Sequence, residues 1–366
     1  MNTAHNATEF IEQILQKSIL QRVSDLHFEP QKYEFRIRAR IDNHLYLFPS
    51  PSDSFAKEII TRLKILADLN IAEKRLPQDG QFNWSYDEKS YSIRIATLPT
   101  LYGEKAVLRL INNLQQPELT QLGFQPVHLT LLKKYLTAPQ GMILVTGPTG
   151  SGKTLTLYSC LQYLNKDNHN ISSVEDPIEL PLDGINQTQI SEKAGITFTT
   201  ILRALLRQDP DVIMVGEIRD QHTAEIAIKA AQTGHLVLST LHTNSTRATL
   251  MRLHNLGIAE DLIYSCVNLI ISQRLVRCLC QHCKIRRPDK QVVSLKDNII
   301  NLPHWHAKGC QHCFSGYIGR TAIYDCLELA KQQKPSSFAL LNSGIELIKQ
   351  GITSLEEVYQ VVGDIE

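Results

Sequence analysis

Eight residues, Gly147-Pro148-Thr149-Gly150-Ser151-Gly152-Lys153-Thr154, follow directly on the apolar run Met142-Ile143-Leu144-Val145-Thr146. The spacing G-x-x-x-x-G-K-T after such a run predicts a buried strand, a phosphate loop and then a helix. The glycines let the backbone fold back so that successive N–H groups point at a β-phosphate. Lys153 reaches the β- and γ-phosphates, and the Thr154 hydroxyl is offered to Mg²⁺. ATP with Mg²⁺ is the implied ligand. Ligands of open α/β sheets sit at the carboxyl ends of the strands, so these residues commit the surrounding chain to an α/β fold.

The residues after about Thr130 agree. Continuous apolar strands at 142–146, 171–175, 211–215 and 236–241 alternate with helical patterns at 153–165, 197–207, 221–233 and 259–274. This is the signature of a largely parallel sheet covered on both faces. Before Asn113 the pattern differs. Short alternating runs such as Tyr33–Arg38 and Tyr91–Ile95 read as strands with one wet face, and amphipathic helices are expected near Glu9–Gln21 and Ser54–Leu69. At 366 residues the chain exceeds the roughly 250–300 residues of a single core. Two domains are expected: α+β over 1–113 and α/β over 129–366, joined by a proline-containing linker at 114–128.

Charge and hydropathy narrow the function. With 38 basic against 37 acidic residues there is no electrostatic case for direct nucleic-acid binding. Residues Met1 to Phe10 lack the basic start and apolar core of a signal peptide. No uninterrupted apolar stretch approaches the ~20 residues that span a bilayer. The expectation is a cytoplasmic enzyme whose membrane role, if it has one, is peripheral.

Further clusters supply what a phosphate loop needs. Val212-Ile213-Met214-Val215 runs into Gly216-Glu217-Ile218-Arg219-Asp220, and an earlier strand ends in Ser173-Val174-Glu175-Asp176-Pro177. One of Glu175 and Glu217 is expected to be the general base and the other a metal-shell ligand; the sequence does not assign which. Asp211 lies at the far end of its strand, ~13 Å away, and is set aside. His235 and His242 bracket the strand Leu236–Leu241, ~23 Å apart if extended. His242, at the carboxyl end, is the candidate γ-phosphate sensor, whereas His235 is expected to tie strand to helix. Ser239 and Thr240 are expected to pack or cap.

Cys280-Gln281-His282-Cys283 and Cys310-Gln311-His312-Cys313 form a C-x₂-C…C-x₂-C set with 26 intervening residues. Four thiolates on two tight knuckles can surround Zn²⁺ in a closed structural site within residues 278–315. Two disulfides are the alternative, disfavoured in a reducing compartment. Cys278, His282 and His312 are spare donors nearby.

In order, the phosphate loop, Val174-Glu175-Asp176-Pro177-Ile178-Glu179, Leu202-Arg203 through Asp211 into Gly216-Glu217-Ile218-Arg219-Asp220, and Thr233-Gly234-His235 to His242-Thr243-Asn244 resemble the secretion ATPase superfamily of type II secretion and type IV pilus assembly motors. The resemblance continues through Ser24-Asp25-Leu26-His27-Phe28-Glu29-Pro30, Arg38-Ala39-Arg40-Ile41-Asp42 and Arg75-Leu76-Pro77-Gln78-Asp79-Gly80. Asn43 stands where that family has Gly, at a turn position Asn also occupies with φ > 0.

This resemblance implies a RecA-like nucleotide domain preceded by a smaller α+β (PAS-like) domain. It also implies a homohexameric ring working on a polytopic membrane platform protein and other membrane proteins of the assembly system, at the cytoplasmic face of the inner membrane. The tetracysteine insert marks extension rather than retraction motors in that family, and the short amino-terminal region is similar to the motors of competence pseudopili. Arg94 and Arg109 match the family's arginines that the first domain brings to the nucleotide, with the linker as hinge. The rival readings are a RecA-like DNA translocase or helicase, which would show DNA-stimulated ATPase activity, and a non-hydrolysing nucleotide-binding scaffold.

Overall fold

The structure, a computed structural model, describes residues 6–51, 55–111, 117–191, 194–295, 298–329 and 338–363. The chain divides into two compact units, Met1–Gln115 and Gln116–Glu366.

In the first unit α1 (Ala7–Leu20) is followed by β1 (Asp25–Pro30), β2 (Phe35–Ile41), β3 (His44–Phe48), α2 (Ala56–Leu66), β4 (Gln78–Tyr86), β5 (Lys89–Thr100) and β6 (Gly103–Ile111). The six strands form one antiparallel sheet in the order β3-β2-β1-β6-β5-β4. Strict alternation in β2 buries Phe35, Ile37, Ala39 and Ile41 and sends Arg36, Arg38 and Arg40 to the other face. Phe10, Ile14 and Leu15 of α1 and Ile59 and Leu63 of α2 are buried as well, so the unit has one apolar layer between helices and sheet. Asp42 and Asn43, at φ 48° and 69°, make the two-residue turn between β2 and β3.

The second unit contains α3 (Pro126–Leu136), β7 (Gly141–Thr146), α4 (Lys153–Leu164), β8 (Ile171–Glu175), β9 (Asn186–Gln189), α5 (Phe198–Leu205), β10 (Val212–Val215), α6 (Gln221–Gln232), β11 (Leu236–Leu241), α7 (Thr246–Asn255), α8 (Glu260–Cys266), β12 (Val267–Leu279), β13 (Lys284–Leu295), β14 (Asn298–Ala307), β15 (Tyr317–Glu328), α9 (Ala339–Lys349) and α10 (Leu355–Val362). Seven strands form a sheet in the order β15-β12-β7-β11-β10-β8-β9, parallel except for β15. The continuous apolar runs now have a reason. In β7, Met142 and Leu144 face one core with α5, α6, α7 and α8, whereas Ile143 and Val145 face a second core with α3 and α4.

Two expectations are corrected. The helical reading of 259–274 holds only to Cys266; from Val267 the chain is strand β12, paired with β7 and β15. Val267-Asn268-Leu269-Ile270-Ile271 is buried on both faces, and a run of that kind carries no period that separates strand from helix. The expected linker is also shorter. Residues 114–116 lie outside the described residues, but from Pro117 onward the segment belongs to the second unit: the Pro117 carbonyl accepts from Ser159, Leu119 is buried, and Phe124 stacks on Tyr324 at 3.7 Å.

The β13–β14 ribbon is inserted between the antiparallel neighbours β12 and β15. Val293 and Leu302 of the ribbon share a third core with Val276, Ile323 and residues of α9 and α10.

Candidate active site

Strand β7 runs between β12 and β11, and the phosphate loop leaves its carboxyl end. Gly147 has φ 150°, and a Cβ there would stand 2.5 Å from the Gln273 carbonyl oxygen. Gly152, at φ 88°, caps the amino end of α4, whose first residue is Lys153. A side chain at Gly147 would collide with backbone, and one at Gly152 would be strained by its left-handed conformation. The Lys153 ammonium donates to the carbonyls of Gly147 (2.9 Å) and Pro148 (3.1 Å). Burial lowers its pKa, Glu217 counteracts this, and Arg274 adds to it. The Ser151 hydroxyl oxygen is buried without a hydrogen-bond partner among the described residues. Thr154 is exposed on the first turn of α4. An unsatisfied donor, a buried ammonium and a helix amino terminus are the chemistry that a polyphosphate fits.

The two candidate acids sit on the same edge of the sheet in opposite surroundings. Glu175, at the end of β8, is 3% exposed. Its carboxylate accepts from Tyr158 Oη, from Ser173 Oγ (2.7 Å) and from Gln187 Nε2 (3.0 Å). Burial, with the bond to Glu175 second, pushes the Tyr158 phenol up, so it stays a donor. Glu217 follows Gly216, whose N–H donates to Val174 O (2.8 Å), while Thr240 Oγ1 donates to Gly216 O (2.7 Å) and Ile218 N to Thr240 O (3.0 Å). Neighbouring strands thus fix the turn that aims this carboxylate. The partners of Glu217 are exposed ones: Arg219, and His242 with Nε2 3.2 Å from Oε2.

The remaining polar residues separate by end of the sheet. His235 Nδ1 lies 3.0 Å from Ala230 O at the end of α6, a strand-to-helix tie. Asp211 accepts from the Asn170 N–H (2.7 Å) at the amino end of β10, away from the phosphate loop. Ser239 Oγ donates to Val215 O (2.7 Å).

The sulfurs of Cys280, Cys283, Cys310 and Cys313 all lie within 4.8 Å of one another, with separations of 3.9 Å (280–310), 3.7 Å (283–313) and 3.6 Å (310–313). A tetrahedral zinc with ~2.3 Å bonds sets its sulfurs about 3.8 Å apart, whereas a disulfide requires about 2.05 Å. The donor set fits Zn²⁺, and none of these four cysteines is joined in a disulfide. The His282 and His312 rings face each other at 4.8 Å beside the knuckles and are outside the donor set.

In the first unit Arg40, Asp25, Arg109 and Arg94 occupy one row across β2, β1, β6 and β5. Buried Asp25 accepts from Ser24 Oγ (2.9 Å) and Arg109 Nε (2.9 Å), with Arg40 Nε at 3.8 Å. Arg109 is held at its Nε, and its side chain is 66% exposed. Arg94 is half-buried.

The sequence description of the family "Type II/IV secretion system protein" matches residues 2–360. The chain belongs to that family. Its relatives in the family include the "Protein transport protein HofB homolog" of Escherichia coli (strain K12), 49% identical over 97% of this chain and 81% of the relative. Another is the "Type IV pilus assembly ATPase PilB" of Acinetobacter baylyi, 43% identical over 97% of this chain and 66% of the relative. The chain thus spans about two-thirds of that pilus ATPase. Among solved structures the Legionella pneumophila ATPase DotB matches with a TM-score of 0.72 and 20% identity, covering 98% of this chain and 96% of that one, a likeness of fold. The resemblance drawn from the motif order is borne out at the level of the family.

Sequence reasoning passed over Gln273 and Arg274 of this secretion-family chain. Gln273 Nε2 donates to Ser151 O (2.6 Å) and its Oε1 accepts from Thr156 Oγ1 (2.9 Å), clamping loop to helix. The available signal was two long polar residues interrupting the apolar strand Val267–Leu279 where it passes the phosphate loop.

Proposed function

We propose that the chain is the ATP-hydrolysing motor of a type II secretion, type IV pilus or competence pseudopilus assembly system. The observation that carries this reading is the Glu217–His242 pair at the carboxyl edge of the sheet that also carries the phosphate loop. ATP binds with its phosphates on residues 147–154 and Lys153. Glu217 orients and deprotonates the attacking water: its two oxygens meet the exposed Arg219 and His242, whereas those of Glu175 are held inside the fold by Tyr158, Ser173 and Gln187. Glu175 holds the neighbouring strand end in place, and His242 reports the γ-phosphate to Glu217. Mg²⁺, held by Thr154 and through water by Glu217, would neutralise charge on the phosphates.

Phosphoryl transfer also needs cations on the γ-phosphoryl oxygens. Arg94 and Arg109 are assigned that role, with a hinge between the two units converting binding and release into rotation. The working form is a homohexameric ring at the cytoplasmic face of the inner membrane, acting on a polytopic platform protein and other membrane components of the system. No helix among the described residues is long and apolar enough to cross a membrane, in keeping with a peripheral position.

Lys153→Ala removes the buried ammonium and little packing, so the variant is expected to stay folded while ATP binding or turnover is lost. ATPase activity near wild type would end the assignment. The four cysteines hold one Zn²⁺ that supports folding of the carboxyl-terminal region and takes no part in hydrolysis. Elemental analysis is expected to find one zinc per chain, and chelation to lower the melting temperature. Zinc-free protein with four titratable thiols and unchanged stability would refute this.

A further inference from the structure

Arg274 is 8% exposed, and its guanidinium spans two segments. Nη1 donates to the Gln273 carbonyl (3.0 Å), beside Gly147, where a Cβ would stand 3.2 Å from that nitrogen. Nη2 donates to the carbonyl of Asn244 (2.7 Å), two residues after His242. The same segment is fastened to β7 a second time: Thr146 Oγ1 donates to Thr243 O (2.8 Å), and Thr243 Oγ1 lies 2.6 Å from Thr249 Oγ1 of α7. Arg274 therefore stands where the phosphate loop meets the segment that carries His242.

Its charge is not explained by these bonds. Both acceptors are backbone carbonyls, for which a neutral amide donor suffices. Among the described residues no carboxylate lies within ion-pair distance of Arg274. Arg277, three residues along the same strand, shows the contrast, with Nε and Nη2 both on Glu357. The charged neighbour that does feel Arg274 is Lys153, another cation. Glu217, which offsets Lys153, already serves Arg219 and His242. A buried cation without an acid is unfavourable, so a charge placed here against a second cation answers to an anion that the chain does not supply.

We propose that Arg274 is a second positioning cation of the nucleotide site, whose charge is balanced by the phosphates of the bound nucleotide and whose grip then fixes the 242–244 segment against the phosphate loop. The inference rests on residues 147–154 being a nucleotide site. It makes Arg274 the link through which phosphate binding sets the position of His242 relative to Glu217.

The test is Arg274→Gln, which keeps a donor for Asn244 and removes the charge, read by ADP affinity and by melting temperature with and without saturating Mg-ADP. Two results are expected together. Without nucleotide the variant melts at or above the wild-type temperature, because an uncompensated cation is gone. With nucleotide its ADP dissociation constant rises about 10-fold or more and the stabilisation by ADP shrinks. Arg274→Lys, which keeps charge but not the two-armed grip, retains ADP affinity within a few-fold. A purely structural strut gives the reverse: a lower melting temperature without nucleotide, or failure of Arg274→Gln to fold, with ADP affinity of folded protein unchanged. That result overturns the proposal, as does an equal affinity loss in Arg274→Lys. Lys153→Ala separates the two levels. Unchanged nucleotide affinity in that variant would sink the nucleotide site itself, whereas its loss beside an unaffected Arg274→Gln would sink only the role of Arg274.

Discussion

Glu175 and Glu217 stand at the ends of neighbouring parallel strands, yet Glu175 is sealed among protein donors, whereas Glu217, its own side chain 12% exposed, is the more open and meets exposed partners. Around Glu175 the chain gathers a phenol, a hydroxyl and an amide, all donating, and shuts out water. Around Glu217 it places a histidine and an arginine whose side chains are 51% and 62% exposed, groups that a substrate can displace. A carboxylate that must take a proton needs a free lone pair and access to water, whereas a fully satisfied one contributes rigidity. Position at a strand end is therefore not enough to identify a catalytic acid; the donors around it decide.

The largest expected effect follows from the open member. Glu217→Gln should leave ATP binding largely intact and lower turnover by about 10²–10⁴-fold, the usual weight of a positioned base; turnover near wild type would remove the distinction between the two acids. Glu175→Gln should act on the fold instead, costing about 2–3 kcal/mol in urea unfolding because charge-assisted bonds are lost and an amide N–H₂ faces donors. Turnover of the folded fraction should stay within about tenfold. Equal collapse of turnover at unchanged stability would exchange the two roles.

Asp325 sharpens the contrast with the smallest effect. It is buried like Glu175, but among the described residues its donors come from Thr246 alone, whose Oγ1 lies at 2.8 Å. Burial raises its pKa to about 6 from 3.8, and the hydrogen bonds from Thr246 only partly oppose this. A folded-state pKa above the unfolded value means that the charged form is disfavoured in the fold. Its contribution is most favourable below pH ~4 and is lost as pH rises through about 6. Asp325→Asn should therefore stabilise the protein by about 1–2 kcal/mol at pH 8 and leave it unchanged or slightly weaker at pH 4. A gain that is independent of pH would show that Asp325 titrates as an ordinary carboxylate.

What could be read in advance depended on how local the information is. The phosphate loop, the strand before it and the helix after it are encoded in thirteen consecutive residues, Met142–Thr154, and stand as expected. The sealing of Glu175 was illegible because Tyr158 reaches it from α4, 17 residues away, and Gln187 from 12 residues away across a pairing of β8 with β9 that only topology creates. Helix and strand after Ala259 were confused because Leu262, Ile263, Val267, Leu269, Ile270 and Ile271 are apolar on every side of either element. The cysteine knuckles were legible in spacing, whereas the ribbon between them, with its third core against α9 and α10, left no comparable mark.

The row of Arg40, Asp25, Arg109 and Arg94 carries a consequence for what changes this chain tolerates. In β6, Arg109 lies between buried Leu108 and Leu110, and in β5, Arg94 lies between buried Ile93 and Ile95. One residue added to or deleted from either strand would turn its guanidinium into the apolar layer and its leucines or isoleucines into solvent. The cations thus exist as a line in a single phase of the pleat. The two-residue turns Asp87-Glu88 and Leu101-Tyr102, which join β4 to β5 and β5 to β6, keep that phase. Point substitutions at these turns are cheap so long as their length is kept; a change of length by one residue would cost the sheet its core and the arginines their alignment in one step.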